Sequence, residues 1–195
     1  MSIVTTTQPA AHPVLADLLG GTRVRNAALV LAGTAFVAAA SQLTVPLWFT
    51  PVPLSLSTFA VLLTGAALGP ARAAASTILY LALGVAGAPI FAGQASGWHF
   101  ASFGYIVGYV IGAVLVGALA RRRADRSVPA TALTACLGTL AVYAAGVPWL
   151  VNHLDVDLAT GMELGVYPFL AGDAIKAVAA ALLLPAAWRA VDRFA

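Results

Sequence analysis

Residues 25–72 read RNAALVLAGTAFVAAASQLTVPLWFTPVPLSLSTFAVLLTGAALGPAR, with an arginine at each end and no Asp, Glu, Lys or Arg between them. A hydrocarbon core about 30 Å thick takes about 20 helical residues. This stretch is therefore too long for one crossing and right for two joined by a turn. The run Pro46-Leu47-Trp48-Phe49-Thr50-Pro51-Val52-Pro53 marks the turn, because its prolines break a helix. Residues 73–120, between Arg72 and Arg121, repeat the pattern: they are charge-free and are broken by Pro89 and by Gly93-Gln94-Ala95-Ser96-Gly97. From Arg126 to Arg189 there is room for two more crossings, joined by a polar loop with Asn152, His153, Asp155, Asp157 and Glu163. The spacing predicts helices near 26–45, 53–69, 72–90, 103–120, 129–150 and 168–189. The fold class is thus an all-α integral membrane protein of six transmembrane helices, with one membrane domain over 26–195 after an N-terminal segment, 1–25.

Composition agrees. Charged residues make up 9% of the 195 and hydrophobic ones 61%, whereas a soluble domain carries about 25% charged residues to cover its wet surface. The formal charge of +3 does not indicate nucleic acid, because the arginines lie between apolar blocks and form no basic stripe interleaved with aromatics. Even Arg121-Arg122-Arg123-Ala124-Asp125-Arg126, which resembles a nucleic-acid patch in isolation, follows an apolar helix and reads as a membrane anchor. The first 22 residues lack the basic and apolar regions of a secretory signal, and Pro9 and Pro13 interrupt them. Pro13 suits the first turn of a short helix, Val14 to Leu19. The single cysteine, Cys136, excludes an intramolecular disulfide and reads as a small buried hydrophobe.

The basic residues orient the bundle. With the N-terminus cytoplasmic, Arg23, Arg25, Arg72, Arg121, Arg122, Arg123, Arg126, Arg189 and Arg193 all fall inside. That is nine of the ten Lys and Arg residues, the distribution expected of cytoplasmic loops. An odd number of spans would put Arg189 and Arg193 outside, so both termini are expected inside. Trp48, Trp98 and Trp149 then fall near outer helix ends. Trp188 falls near an inner end and reads as an interfacial belt residue.

The tenth basic residue is Lys176, in Phe169-Leu170-Ala171-Gly172-Asp173-Ala174-Ile175-Lys176-Ala177 of the last span. A charge at a helix centre costs about 2.5–3.5 kcal/mol on insertion scales. Asp173 and Lys176 share a face at i,i+3 spacing. A self-neutralising ion pair bridging helices is the bland reading. Paired charges rarely recover their desolvation cost, however, and apolar residues would serve lipid better. The sharper reading places the pair at the floor of a pocket open to the outside, where Lys176 receives a substrate anion and Asp173 accepts substrate N–H groups or orients the lysine. The outer ends supply aromatic walls, among them Phe49, Trp98, Tyr105, Trp149 and Phe169, and apolar walls with a few convergent polar groups describe a small-molecule site.

Other chemistry is missing from the sequence. There is no Walker A loop, since Ile175 precedes Lys176, and no Gly-x-Ser-x-Gly elbow or HExxH helix. His153, Asp155 and Asp157 alternate as a conceivable metal or catalytic group, but they read as a solvated loop. His99 reads as an outer-loop residue.

A series of motifs in order resembles the BioY family, the substrate-binding S components of energy-coupling-factor biotin transporters, over about Leu43 to Leu184. They are Phe49-Thr50-Pro51-Val52-Pro53 leading through Thr58-Phe59-Ala60 to Leu68-Gly69-Pro70; Leu79-Tyr80-Leu81; Gly84-Val85-Ala86-Gly87-Ala88-Pro89-Ile90-Phe91-Ala92-Gly93; Gly104-Tyr105-Ile106-Val107-Gly108-Tyr109; Gly146-Val147-Pro148-Trp149; and Pro168 through Lys176. Two departures stand out. Phe100-Ala101-Ser102-Phe103-Gly104-Tyr105 replaces the family's Gly-Pro-Thr-Gly-Gly-Tyr, and Ser57 replaces a Gln before Thr-Phe.

The resemblance implies high-affinity biotin capture at the outer side and uptake across the cell membrane. The partners would be a transmembrane coupling (T) subunit and two ATPase (A) subunits that use the ATP; the chain would be no enzyme and would need no cofactor of its own. It also implies that Asp173 and Lys176 are the family's intramembrane pair and that Gln94 reaches the ligand head group. The candidate substrate-binding set is then Asp173, Lys176, Gln94, Tyr80, Trp98, Tyr105 and Phe49. Biotin's carboxylate suits Lys176, and its ureido group suits Asp173, Ser or Gln. On α-helix one of the sequence, Ala28, Ala32, Ala35 and Ala39 give the small-xxx-small spacing that admits a partner helix. The competing readings are an S component for another vitamin, an ion-coupled carrier with Asp173 as proton-coupling group, and a membrane enzyme using His153, Asp155 and Asp157.

Overall fold

The computed structural model describes residues 12–19 and 21–194, so Pro9 lies outside the described residues. Helix α1 spans Arg23–Gln42, α2 Ser57–Leu68, α3 Pro70–Val85, α4 Phe103–Ala120, α5 Val128–Leu154, α6 Leu158–Gly165 and α7 Leu170–Phe194. A two-stranded antiparallel ribbon, β1 (Thr44–Val45) with β2 (Leu54–Ser55), joins α1 to α2, with Thr44 opposite Ser55. The all-α expectation holds, and α4 coincides with the predicted 103–120.

Local chemistry explains the boundaries that differ. Thr22 starts α1 by accepting the Arg25 N–H on its hydroxyl at 3.2 Å. The helix stops at Gln42 because the chain enters the ribbon, and Pro46, Pro51 and Pro53 keep the turns that follow out of a helix until Ser57. Helices α2 and α3 therefore have 12 and 16 residues, about 18 and 24 Å at 1.5 Å per residue, shorter than expected. Gly69 at φ 76 followed by Pro70 at the first turn of α3 makes the junction between them without a loop. Among the described residues, four segments are long and apolar enough to cross a membrane: α1, α4, α5 and the stretch 158–193 that holds α6 and most of α7.

Part of the expected polar loop is helical. Asp157 caps α6, its side chain accepting the Thr160 N–H at 2.8 Å, and Asp155 ends α5 in the left-handed region at φ 54. His153, Asp155 and Asp157 thus serve helix ends, and no group of three potential metal ligands exists among the described residues.

Contacts at one end tie the helices together. The expected short helix is a 3-10 turn over Leu15–Leu19, with Val14 fully buried beside it. Asp17 pairs with Arg72 at the start of α3 and with Arg121 after α4, the latter at 3.1 Å. Partial burial pushes the Asp17 carboxyl up, but the Val14 N–H and the two guanidinium groups outweigh it and hold the group below its ordinary range. Trp188 corrects the interfacial reading. It is buried in α7, its Nε1 donates to Asp125 Oδ2 at 2.5 Å, and the Arg126 guanidinium lies 3.7 Å from its ring centre. Cys136, expected to be buried, is exposed: it shares the outward face of α5 with Leu133, Leu137 and Leu140.

Helices α4 and α5 meet closely along their length, and glycine permits it. A Cβ on Gly108 would stand 2.7 Å from the Val142 carbonyl oxygen and 2.8 Å from its Cα, both backbone atoms. Gly108→Val should therefore destabilise the protein by about 1–3 kcal/mol, read as a lower melting temperature in detergent. Gly21→Val should melt like the wild type, since nothing lies within 4 Å of that position.

Candidate functional site

A cavity of about 310 Å³ lies among the 46–53 loop, the start of α2, the loop before α4, and helices α3, α4, α5 and α7. Its walls follow from helical spacing. Tyr105 and Tyr109 stand one turn apart on α4, Thr139 and Tyr143 one turn apart on α5, and Asp173 and Lys176 share a face of α7.

Asp173 and Lys176 are the only charged side chains on this wall among the described residues. Lys176 is 9% exposed, although it sits in a helix whose Ile175 and Val178 face outward at 71% and 58%. Lys176 Nζ donates to Asp173 Oδ1 at 3.0 Å, and the Tyr143 hydroxyl donates to Asp173 Oδ2. The ammonium keeps two N–H donors for another acceptor. Each carboxylate oxygen retains acceptor capacity, so the pair is held in place without being saturated.

Of the other candidate residues, Tyr80 and Tyr105 line the cavity. The Tyr105 ring lies over Gly146, where a Cβ would come within 2.4 Å of it, and its hydroxyl donates to the Gly165 carbonyl at 2.9 Å. Its hydrogen is thus spent on fastening the end of α6, and the Gly146-Val147-Pro148-Trp149 motif leaves room for the ring. Phe49, Gln94 and Trp98 lie off the wall. Phe49 turns outward against Trp48, with ring centres 5.3 Å apart, while its neighbours Leu47 and Thr50 face in. Trp98 packs on His99 at 3.5 Å in the exposed loop. Gln94, at φ 61, is exposed between Ala92 and Ala95, which do line the cavity.

Of the hydroxyl groups on the wall outside the candidate set, the sequence singled out Ser57 alone, as a departure from the family pattern. Ser55, Ser57, Thr58, Thr139 and Tyr143 all line the cavity. A chain of hydrogen bonds runs from Ser55 to Ser57 at 2.7 Å, from Ser57 to Ser41 at 3.0 Å, and between Ser41 and Tyr80 at 2.7 Å. Their signal was the one-turn repetition of hydroxyl groups inside apolar helices, Tyr105 with Tyr109 and Thr139 with Tyr143. Both departures from the family pattern fall here too, since Ser57, Phe100 and Ser102 are wall residues.

An all-α bundle around a mostly apolar cavity that carries one ion pair is the architecture of a small-molecule-binding helical membrane protein. A profile of the BioY family matches residues 9–193. A probable biotin transporter BioY of Pyrococcus horikoshii is 32% identical over 83% of this chain and 94% of its own length. The biotin transporter BioY of Thermotoga maritima is 32% identical over 80% and 92%. The crystal structure of the S component for biotin from an energy-coupling-factor ABC transporter superposes with a TM-score of 0.77 at 24% identity, covering 87% of this chain and 95% of that one. That likeness establishes the fold. The chain belongs to the BioY family.

Removing one partner of a buried ion pair strands the other, at a cost of about 3–5 kcal/mol. Asp173→Leu or Lys176→Met alone should therefore lower the melting temperature in detergent clearly. The double variant should recover most of the loss, because it leaves no unpaired charge. Equal loss in the double variant would contradict this account of the pair.

Proposed function

We propose that this chain is the biotin-capturing S component of an energy-coupling-factor importer in the cell membrane. The observation that carries the reading is the placement of Asp173 and Lys176 as the sole charged groups, among the described residues, on a 310 Å³ cavity. Family membership and the printed functions of the relatives, biotin transporters, support the choice of ligand.

Charge counting orients the ligand. The pair is neutral as a unit, which argues against the expectation that Lys176 receives the carboxylate: an anion placed on the pair would leave an uncompensated charge in a low-dielectric site, which is expensive. A ureido group is neutral and strongly dipolar. Its carbonyl oxygen suits the two spare N–H donors of Lys176, one of its N–H groups suits the spare acceptor capacity of Asp173, and the other is left for an acceptor elsewhere on the wall. The ureido ring therefore goes to the pair and the valerate chain toward the mouth, where an anion keeps its water. Tyr80, Tyr105, Tyr109 and Phe169 supply walls for the bicyclic rings.

The membrane arrangement is six crossings, α1 to α5 and α7, with α6 lying along the outer edge. The short α2 and α3 cross together with the extended segments that flank them. Both termini and the segment 1–25 are cytoplasmic, and 26–195 is one membrane domain. The Asp17 pairs with Arg72 and Arg121, and the Arg126–Trp188 stack, support this topology by gathering basic segments of the chain at one end. Outward Leu31, Phe36, Ile78, Leu133 and Leu182 face lipid. ATP is hydrolysed by partner A subunits, since the chain carries no Walker A loop, and a T subunit couples them to it. Ala28, Ala32, Ala35 and Ala39 lie on the exposed surface of α1, where small residues admit a partner helix.

Calorimetry on the purified protein should give tight biotin binding. Lys176→Ala should weaken it about 100-fold, as expected on losing a buried charged hydrogen-bond partner. Arg72→Ala, at the opposite end, should leave affinity unchanged. Equal effects of the two substitutions would remove Lys176 from the site, and no binding by folded wild-type protein would defeat the proposal.

A further inference from the structure

The hydrogen bonds around Ser41 have a direction that follows from counting protons. Ser41 is fully buried in α1 and stands behind the cavity wall. Its hydroxyl donates to the Val37 carbonyl oxygen at 2.8 Å, the one of its partners that can only accept. With that proton on Val37, the Tyr80 hydroxyl at 2.7 Å is the donor to Ser41 Oγ, and the Ser57 hydroxyl donates there at 3.0 Å. With the Ser57 proton used, the 2.7 Å contact between Ser55 and Ser57 has Ser55 as donor. Counted this way, the hydroxyl protons of Ser41, Ser55, Ser57 and Tyr80 are used inside the relay, while the Tyr109 hydroxyl, within reach of Ser55, Ser57 and Thr58, stands outside it as a donor on the same wall.

The consequence reaches the ligand. Tyr80, Ser57 and Ser55 are wall residues, and what they retain for a guest is lone pairs. The Tyr80 hydroxyl accepts no other hydrogen bond among the described residues, and Ser55 Oγ already takes the Ser57 N–H at 3.3 Å. A hydroxyl free to rotate serves a donor or an acceptor equally well, whereas these are locked as acceptors. A site built to accept a ligand N–H rejects an analogue that lacks it, because buried acceptors are left facing each other.

We propose that Ser41 is a positioning residue for specificity: it polarises the Tyr80–Ser57–Ser55 wall into an acceptor-only surface that selects ligands presenting a ring N–H, such as a cyclic urea. The inference rests on the biotin reading above and adds that a helix without a residue on the cavity wall controls which hydrogen-bond pattern the cavity takes.

The test compares biotin with its two cyclic carbamate analogues, in each of which one ureido N–H is replaced by oxygen. The size is nearly unchanged while a donor becomes an acceptor. Calorimetry on the wild-type protein should show at least one carbamate bound about 100-fold or more weakly than biotin. In Ser41→Ala the Tyr80 and Ser57 hydroxyls regain freedom to donate, so the ratio of biotin to that carbamate should fall about tenfold or more. In Tyr80→Phe, which leaves Ser41 in place, the ratio should fall as well, and this variant carries the test if Ser41→Ala does not fold.

A purely structural role for Ser41 would weaken all ligands in parallel and leave the ratio unmoved; that result overturns the proposal. Wild-type protein that binds biotin and both carbamates alike also overturns it, while leaving the transport reading intact. Wild-type protein that binds no biotin fells the functional reading itself.

Discussion

The ion pair between Asp173 and Lys176 is the constraint around which the rest of this bundle is arranged. Water stabilises charges that nothing in a hydrocarbon layer replaces. The protein answers with proximity, 3.0 Å between the two groups, with a third partner in the Tyr143 hydroxyl, and with a cavity that gives the remaining donors and acceptors somewhere to point. Leucines in both positions would pack as well and cost less, so the pair reflects a requirement other than folding. Tight packing elsewhere keeps the cavity open: α4 and α5 meet backbone to backbone at Gly108 and Gly112, which fixes Tyr105, Tyr109, Thr139 and Tyr143 relative to one another.

The two ends of the molecule do different work. At one end the Asp17 pairs and the buried Trp188–Asp125 contact lock helix ends together with polar groups that are largely satisfied internally. Asp125 Oδ1 and Arg126 Nε are the exceptions, buried without a hydrogen-bond partner among the described residues. At the other end the loops are held by side-chain bonds to backbone. Gln42 Nε2 donates to the Ile90 and Phe91 carbonyls, Thr50 to Leu164, and Trp149 to Phe100. These contacts shape the cavity rim from segments far apart in sequence.

Much of this was legible in the sequence, and what was not has a physical cause. Charge-free runs bounded by arginines located the helices, because the cost of a charge in lipid leaves a pattern stronger than local propensity. The same cost singled out Asp173 and Lys176. Helix ends were less legible: α2 begins late because prolines and a two-residue ribbon take its first turn, and ribbon pairing is a tertiary event. Helix α6 was hidden because Asp157, which starts it, also looks like a loop residue. Phe49, Gln94 and Trp98 were chosen for residue type and place in the chain, but which way a loop side chain turns depends on contacts that spacing does not encode. The hydroxyl groups of Ser41 and Tyr143 were overlooked for the opposite reason, and Ser57 stood out only as a departure from the family pattern. Each is unremarkable alone in a membrane helix, and only their meeting across α1, α2, α3, α5 and α7 gives them a role.

The central claim, that the buried pair exists to hold a guest of one kind, is most directly tested by native mass spectrometry of the protein purified from cells grown with a full mixture of vitamins. The account predicts a single adduct per chain with the mass of biotin, absent from protein carrying the Asp173→Leu/Lys176→Met double substitution. A folded wild-type protein that carries a different vitamin, or an adduct that persists in the double variant, would contradict it.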